Sequence, residues 1–480
     1  MKRNTMGEAE WLKAVSFEDA RRCLENACLL ERASKHLSRG EGELALSTAH
    51  SVLANGGEGF APYASEIITD ALDELAMRYE EVDDWENALR WRKEQVIHEP
   101  SALLPRLLLA EDMIMAGNYR SAEQELWELL RRCPRSIEGW TWMARCAVHR
   151  VNSLGQKRSA DQRAAVRDMM RFAQRSWQVL RKPEWIYYPS ETIIRVTLEE
   201  LYEVTFAALA LTGSVNQARQ VIEAGIAILG DSDGYLRWLR DSFSPTGQYH
   251  LETTSLLSVV DHTPVKRLLE LAQQCAVITH QLHNGNYEQA FTLLSDLPAD
   301  VDILLDGWKT WQERRMLAYA AESAAKAQDV EAEMHYIAQW HALAPSEELP
   351  LFRWGELMFR RNYKEALRTF HRLLRRSQKY IEALIEVARL HYAHRRLRLA
   401  CRFVAKAWGT LPSPDWCYYP SEAVVKDRLR NLFSLTEKLA SATGNVEQAE
   451  QVKREGQALL GESVVFDGVE ARVNQITVVM

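Results

Sequence analysis

The feature that most constrains this chain is a long internal duplication. Residues 183–191 read Pro-Glu-Trp-Ile-Tyr-Tyr-Pro-Ser-Glu, and residues 414–422 read Pro-Asp-Trp-Cys-Tyr-Tyr-Pro-Ser-Glu. The match continues without a gap at an offset of 231, where Thr212-Gly213 meets Thr443-Gly444. Because self-similarity over such a length marks repeat architectures, the 480 residues are interpreted as two homologous halves.

Upstream of this match the offset changes to 244 and then 245, so one half carries an insertion of 13 residues, placed at 151–163. We expect this insertion to be a loop or a helix extension. The predicted organisation runs in five segments along the chain. They are an N-terminal extension (1–16), a first copy (17–232), a connector (233–261), a second copy (262–461) and a C-terminal tail (462–480).

Each copy contains a shorter repeated pattern: Gly-Asn-Tyr, an alanine three positions after the tyrosine, and an apolar residue four further on. Gly117-Asn118-Tyr119 with Ala122, Gly285-Asn286-Tyr287 with Ala290, and Asn362-Tyr363 with Ala366 carry it. Glycine allows the left-handed turn that ends a helix, and alanine lets two helices cross closely. The pattern predicts helical hairpins that bury their apolar faces only by stacking on their neighbours.

These residues resemble the second half of the tetratricopeptide repeat (TPR), which consists of a turn, a second helix and a closing proline. The resemblance implies an all-α fold, a right-handed superhelix of helical hairpins. We expect five pairs in each copy, and a short hairpin or extended β-like tail around Asp467-Gly468. The predicted pairs lie near 17–54, 60–98, 102–132, 137–180 and 190–229, and near 265–297, 308–343, 347–376, 379–411 and 421–460.

Catalytic and metal-binding patterns are not evident in the sequence. It has no Walker loop, no Gly-x-Gly-x-x-Gly after a strand, no His-Glu-x-x-His and no Gly-x-Ser-x-Gly. His391 and His394 lack a third ligand, and the acidic patch at Glu199, Glu200 and Glu203 is not repeated in the second copy. We therefore expect no enzyme activity, no cofactor and no metal site.

Cysteine usage and hydropathy bear on the compartment. Seven scattered cysteines without Cys-x-x-Cys pairs favour reduced thiols. No secretory signal and no run of about 18 uncharged apolar residues is visible. A cytoplasmic protein without a membrane span is the expectation.

Charge is unevenly distributed along the chain. Residues 360–406 carry 14 Lys and Arg against three acids, although the whole chain has a net charge of -7. The matching stretch 116–176 is also basic, with 12 basic and 6 acidic residues. Either this is a solvated helix surface or it binds an anionic partner. The candidate anchors are Arg372, Arg375, Arg376, Arg395, Arg396 and Arg398.

The duplicated Trp-x-Tyr-Tyr-Pro-Ser-Glu segment is the second candidate site. Its aromatic rings either fill the gap between two helix pairs or line a groove that holds a partner peptide. The residues concerned are Trp185, Tyr187, Tyr188, Trp416, Tyr418 and Tyr419.

The TPR resemblance implies a non-catalytic scaffold or adaptor. It would bind a protein partner that carries an acidic segment, through the superhelix groove and the basic patches. A nucleic-acid-binding helical repeat is the alternative, since basic residues and aromatic rings also suit single strands. A regulatory subunit of an enzyme complex is a third interpretation.

Overall fold

The computed structural model of the chain describes residues 10–154, 160–230, 234–242, 253–298, 300–305 and 307–461. The predicted C-terminal tail (462–480) and residues 233 and 243–252 of the connector lie outside these residues. Within them, the β interactions are two isolated parallel bridges, Ser136 with Glu184 and Tyr380 with Asp415, at matching positions of the two copies. All other regular structure is helical, so the predicted all-α array of helical hairpins is confirmed.

The first copy forms the five helix pairs that the sequence predicts. A 3-10 turn at Glu10–Ala14 precedes them, and another at Glu58–Phe60 separates the first pair from the second. The helices are α1 (Phe17–Ser38), α2 (Gly42–Ala54), α3 (Ala61–Glu80), α4 (Trp85–His98), α5 (Leu104–Met115), α6 (Tyr119–Arg132), α7 (Ile137–Ser153), α8 (Ala160–Val179), α9 (Glu191–Leu211) and α10 (Val215–Leu229).

The second copy repeats the arrangement. Two short helices in the connector, α11 (Tyr235–Ser242) and α12 (Thr254–Leu257), come before it, and a one-turn helix, α15, follows its first pair. Its helices are α13 (His262–His283), α14 (Tyr287–Ser295), α15 (Val301–Leu304), α16 (Trp308–Lys326), α17 (Val330–Leu343), α18 (Glu348–Arg361), α19 (Tyr363–Arg376), α20 (Ile381–Ala393), α21 (Leu397–Thr410), α22 (Glu422–Ala442) and α23 (Val446–Leu460).

The insertion in the first copy lengthens two helices. α7 has 17 residues where α20 has 13, and α8 has 20 where α21 has 14. The predicted helix extension therefore accounts for the described part of the segment.

The turns between paired helices explain the glycine pattern. Gly117, Gly213, Gly285 and Gly444 all have φ between 75° and 89°. An L side chain is strained in this conformation, so glycine is favoured there. Arg395 occupies the same kind of turn, between α20 and α21, with φ 56°.

The Ser-Glu pair that ends each Trp-Tyr-Tyr motif starts a helix. Ser190 caps α9 by accepting a hydrogen bond from the backbone N–H of Ile193. Ser421 caps α22 in the same way, from Val424. Capping hydroxyls satisfy backbone donors that the first turn of a helix leaves without a partner.

The chain divides into two compact units, whose limits do not follow the boundary between the copies. Leu75–Met316 forms one, which we call the continuous unit. The other, which we call the composite unit, combines the described residues before Leu75 with those from Leu317 onward. Each unit therefore contains helices from both copies.

In the continuous unit the last pair of the first copy packs against the first helix of the second copy. The ring of His262, at the start of α13, stacks on Tyr202 of α9, with centroids 5.8 Å apart and planes 10° apart. Trp177 meets the same imidazole edge-on at 5.9 Å. The indole N–H of Trp177 donates to the hydroxyl of Thr205 at 2.9 Å, so this cluster is both packed and hydrogen-bonded.

The composite unit contains the same cluster, built from the two ends of the chain. Phe17, at the start of α1, stacks on Phe433 of α22 at 6.0 Å and meets Trp408 edge-on at 6.1 Å. The indole N–H of Trp408 donates to Thr436 at 2.9 Å. These four residues lie at offsets of 231 or 245 from those of the first cluster, so the first pair of each copy packs against the last pair of the other.

Candidate functional site

The duplicated motif forms two loops, 183–190 and 414–421, which we call the Trp-Tyr loops. Each is held by a glutamate at the start of the preceding helix pair. Glu138 Oε1 accepts the backbone N–H groups of Ile186 at 2.9 Å and Tyr187 at 3.2 Å. Glu382 Oε1 accepts two N–H groups of the second loop at 3.1 and 3.3 Å. The two glutamates are equivalent at an offset of 244.

Burial favours the protonated form of both glutamates, Glu138 and Glu382. Burial raises the pKa of Glu382 to about 7 and that of Glu138 to about 6, while the hydrogen bonds from the loops act in the opposite direction. These glutamates have a structural role that sequence reasoning missed, although both lie in the repeated alignment.

The first tyrosine of each loop is hydrogen-bonded to a carboxylate. The hydroxyl of Tyr418 donates to Glu356 at 2.9 Å, and Tyr418 is buried. The hydroxyl of Tyr187 lies 3.3 Å from Glu111, which corresponds to Glu356 at an offset of 245. Both hydroxyls point into the protein interior.

The two tryptophans of the loops are also buried, each 8% exposed. Trp185 donates its indole N–H to the carbonyl of Leu304 at 2.9 Å. Trp416 packs against Phe60 at 5.7 Å. Trp185, Trp416 and Tyr418 are therefore largely covered by the protein itself, which leaves little of their rings exposed.

The second tyrosines are more accessible. Tyr188 is 46% exposed, lies 5.0 Å from the ring of Trp311 and accepts a hydrogen bond from Gln312 at 3.0 Å. Tyr419 is half-buried and meets Tyr63 edge-on at 5.2 Å. Of the six aromatic candidates, Tyr188 is the one that presents the most surface.

The predicted basic anchors separate into two groups. Three are engaged within the protein. Arg376 donates to the backbone carbonyls of Ser346 and Glu347 at 3.0 and 3.2 Å. Arg396 donates to the hydroxyl of Tyr363 at 2.8 Å, and Arg372 lies 3.5 Å from His341.

Arg375, Arg395 and Arg398 form the second group. All three side chains are exposed, and within the described residues they make no hydrogen bond or ion pair. Arg398 lies on α21, where Arg402 and Lys406 follow at intervals of four residues and are also exposed. Because residues four apart share a helix face, these three cations form one row, which we call the second basic row.

The first copy has a row at the same positions. Arg167, Arg171 and Arg175 of α8 are exposed and correspond to the second basic row at an offset of 231. α8 also contains Asp161 and Asp168, whereas α21 contains no acidic residue. Asp168 pairs with Arg150 at 2.7 Å. The positive charge of the second row is therefore less compensated on its own helix.

A cleft of about 510 Å³ opens beside the second basic row, between α19 and α21. We call it the basic cleft. Phe403, Leu374 and the buried Leu384 supply its apolar surface, and Arg375 and Lys406 supply positive charge. The ammonium group of Lys406 lies 5.9 Å from the centroid of Phe403. His371 and Gln378 complete the lining.

The environment of His371 favours its neutral form. Its ring lies 5.7 Å from that of Phe403. Burial lowers the pKa of His371, and the positive charges of Arg375 and Lys406 lower it further. An anion in the cleft would oppose this effect.

The two histidines spaced three apart in the sequence do not converge. His391 is buried and stacks against Phe403 at 5.7 Å, while His394 stacks on Tyr363 at 3.7 Å. Among the described residues no group of three His, Cys, Asp or Glu is arranged to hold a metal ion. Glu200 accepts a hydrogen bond from Arg145 at 2.7 Å, so it belongs to an ion pair. None of the helices in the described part of the chain is both long and apolar enough to span a membrane.

The comparisons with known proteins found matches among solved structures but none among protein families or curated proteins. No protein-family model and no curated protein matches the chain. The TPR domain of P58(IPK) is 14% identical, with a TM-score of 0.22 over 90% of this chain and 99% of that one. Yeast Tom70 is 10% identical, with a TM-score of 0.22 over 83% and 93%.

An IFIT1 mutant with m7Gppp-AAAA is 12% identical, with a TM-score of 0.25 over 94% of this chain and 97% of that one. The helix pairs of the described residues, several of which turn at a left-handed glycine, form an all-α helical repeat fold.

Proposed function

We propose that this chain is a non-catalytic, cytoplasmic protein-interaction scaffold that binds an acidic segment of a protein partner. The second basic row is the observation that carries the proposal. Its three exposed cations lie on one helix face, and that helix has no acidic residue. Such a surface attracts anions and is unfavourable for cations.

The equivalent row on α8 supports the proposal. The same three positions carry exposed cations in both copies, although many neighbouring positions differ. Helix stability does not require these charges, because exposed Lys and Arg contribute little to folding. Two copies of one charged surface suit a partner with two acidic segments.

Charge elsewhere on the chain favours a short acidic segment over a nucleic acid. The whole chain has a net charge of -7. A long polyanion that extends beyond the basic segment 360–406 meets the net negative charge of the rest of the chain, whereas a short peptide contacts only the basic row. All seven cysteines are free thiols, which supports the proposed reducing compartment.

Fluorescence anisotropy with defined probes tests this function. The probes are a labelled 12-residue peptide of alternating Glu and Ser, the same peptide with Gln for Glu, and a 12-nucleotide uridine RNA. We expect the acidic peptide to bind and the Gln peptide to bind at least about tenfold more weakly. Failure of the acidic peptide to bind would overturn the proposal.

Charge reversal locates the interaction. Arg398→Glu with Arg402→Glu should weaken peptide binding to the second basic row at least about tenfold, because like charges then face each other. Arg21→Glu with Arg22→Glu changes the net charge equally on exposed positions of α1 and should leave affinity within about threefold. Equal losses in the two variants would contradict a specific site.

The RNA probe decides the alternative function. A phosphate-tracking surface loses orders of magnitude in affinity between about 50 and 200 mM salt. RNA that binds more tightly than the acidic peptide, with that steep salt dependence, would replace the present proposal with nucleic-acid binding. A regulatory subunit would co-purify with one enzyme in fixed stoichiometry.

A further inference from the structure

The basic cleft exists because two aromatic positions of the first copy are smaller in the second. At an offset of 244, Trp127 corresponds to His371 and Trp140 corresponds to Leu384. The neighbouring apolar positions are kept, with Phe172 matching Phe403 at an offset of 231.

In the first copy the two indoles occupy the corresponding space. Trp127 and Trp140 meet edge-on with centroids 5.7 Å apart. Both contact Phe172, at 5.9 and 6.1 Å. The guanidinium of Arg175 lies over Trp140 at 5.8 Å. Three rings and a cation thus pack together in the first copy, where Trp127 remains 43% exposed.

In the second copy the rim is also more positive. Arg131 of the first copy forms an ion pair with Glu128 on its own helix. At the equivalent positions Arg375 has Arg372 beside it, so both residues are cationic. Compared with the first copy, the second copy therefore lacks two indoles and one carboxylate, and all three differences lie at the basic cleft.

The size and chemistry of the cleft define what it can accept. Its volume of about 510 Å³ lies within the range of ligand sites, about 300–1,000 Å³. Leu374, Leu384 and Phe403 form an apolar floor, while Arg375 and Lys406 lie at its edge. A planar apolar group can occupy the space that the indoles fill in the first copy, if negative charge flanks it.

We propose that the basic cleft receives an aromatic side chain of the partner's acidic segment, with acidic residues on either side of it contacting Arg375 and Lys406. This inference rests on the proposed function and names the partner feature that one copy recognises. The two basic rows attract acidic segments in common, but the cleft makes the second copy selective for an aromatic residue within the segment.

Two nine-residue peptides test the inference. Both carry acidic residues on each side of a central position, which is Phe in one and Ala in the other. Because burial of a Phe side chain is strongly favourable, we expect the Phe peptide to bind about tenfold or more tightly. Equal affinities would overturn the inference, and the proposed function would stand if both peptides bind.

Filling the cleft provides the structural control. His371→Trp with Leu384→Trp reproduces the first copy, and should reduce the Phe-to-Ala affinity ratio to about one while affinity for the Ala peptide changes less than about threefold. A ratio that stays near tenfold would place the aromatic residue elsewhere. Far-ultraviolet circular dichroism and the melting temperature check that the variant folds.

Opening the first copy provides the reciprocal variant. Trp127→His with Trp140→Leu should create a second site that prefers Phe, so the stoichiometry of Phe-selective binding measured by calorimetry should rise from one to two. If this variant does not fold, the variant His371→Trp with Leu384→Trp decides by itself whether the aromatic side chain binds in the basic cleft. Retained stoichiometry of one in a folded variant would contradict the role of these two positions.

Discussion

The ring of Phe17 stacks on the ring of Phe433, with 6.0 Å between centroids and 11° between planes. This contact joins α1, the first described α-helix, to α22, the penultimate one, within the composite unit. The pair repeats the stacking of His262 on Tyr202 in the continuous unit. The contact between α9 and α13 therefore joins helices that are near each other in sequence, whereas the contact between α1 and α22 joins helices that are far apart in sequence.

Removal of the Phe17 ring should loosen the composite unit selectively. Phe17 is half-buried, so Phe17→Ala should lower the free energy of unfolding by about 1–3 kcal/mol, less than for a fully buried ring. Hydrogen exchange should accelerate in α22 and stay unchanged in α9. His262→Ala should have the converse pattern, and acceleration in both helices for either variant would contradict separate clusters.

The pH dependence of stability should reveal the Glu382 clamp. The folded-state pKa of Glu382 is raised to about 7 from 4.5. The contribution of this carboxyl group to the free energy of unfolding is therefore fully present below pH 4.5 and is lost as the pH rises through 7. The slope is at most about 1.4 kcal/mol per pH unit. Denaturant unfolding of Glu382→Gln, whose amide oxygen still accepts both N–H groups, should lack this component. An unchanged slope between pH 5 and 8 would refute it.

Gly225 should resist replacement despite its place in a helix. A Cβ there would lie 2.9 Å from two atoms of the Tyr202 ring. Helix propensity favours alanine by about 1 kcal/mol, but overpacking costs about 1–3 kcal/mol, so Gly225→Ala should give a net loss of up to about 2 kcal/mol. Gly409→Ala, which meets nothing within 4 Å, should be neutral or stabilising. Thermal melts compare the two.

Arg395 should be replaceable by glycine with a gain in stability. It has φ 56°, a conformation that costs an L residue about 1–2 kcal/mol. Arg395→Gly should raise the free energy of unfolding by about 0.5–1 kcal/mol, after the larger chain entropy of glycine is counted. Arg398→Gly, in α21, should instead lower it by about 1 kcal/mol. Urea denaturation measures both, and a loss in the first variant would contradict a strained turn.

Local pattern was sufficient to predict the helix pairs. Gly117, Gly285 and Gly444 mark left-handed turns, and Ser190 and Ser421 mark helix starts, because each feature depends on a few neighbouring residues. The same logic is less informative where Arg395 or Gln328 takes the left-handed turn without glycine. Those turns follow from the packing of the two helices.

The basic cleft depends on contacts that one sequence does not display. His371 and Phe403 belong to different helix pairs, and their juxtaposition requires the stacked fold. The signal was nevertheless present, since Trp127 and Trp140 become His371 and Leu384 between otherwise similar segments. The engagement of Arg376 and Arg396 in internal hydrogen bonds also follows from tertiary structure alone.

The stacking of α1 on α22 has a consequence for the order of events during synthesis. α1 leaves the ribosome long before Trp408 and Phe433 have been translated, so its aromatic partner does not yet exist. The continuous unit can fold once the residues up to Met316 have emerged, because domains fold as their segments become available. In a nascent chain arrested just after α20, the continuous unit would thus be folded while α1 still lacked its partner helix. The Phe17 ring would stay accessible to chaperones until α22 is synthesised.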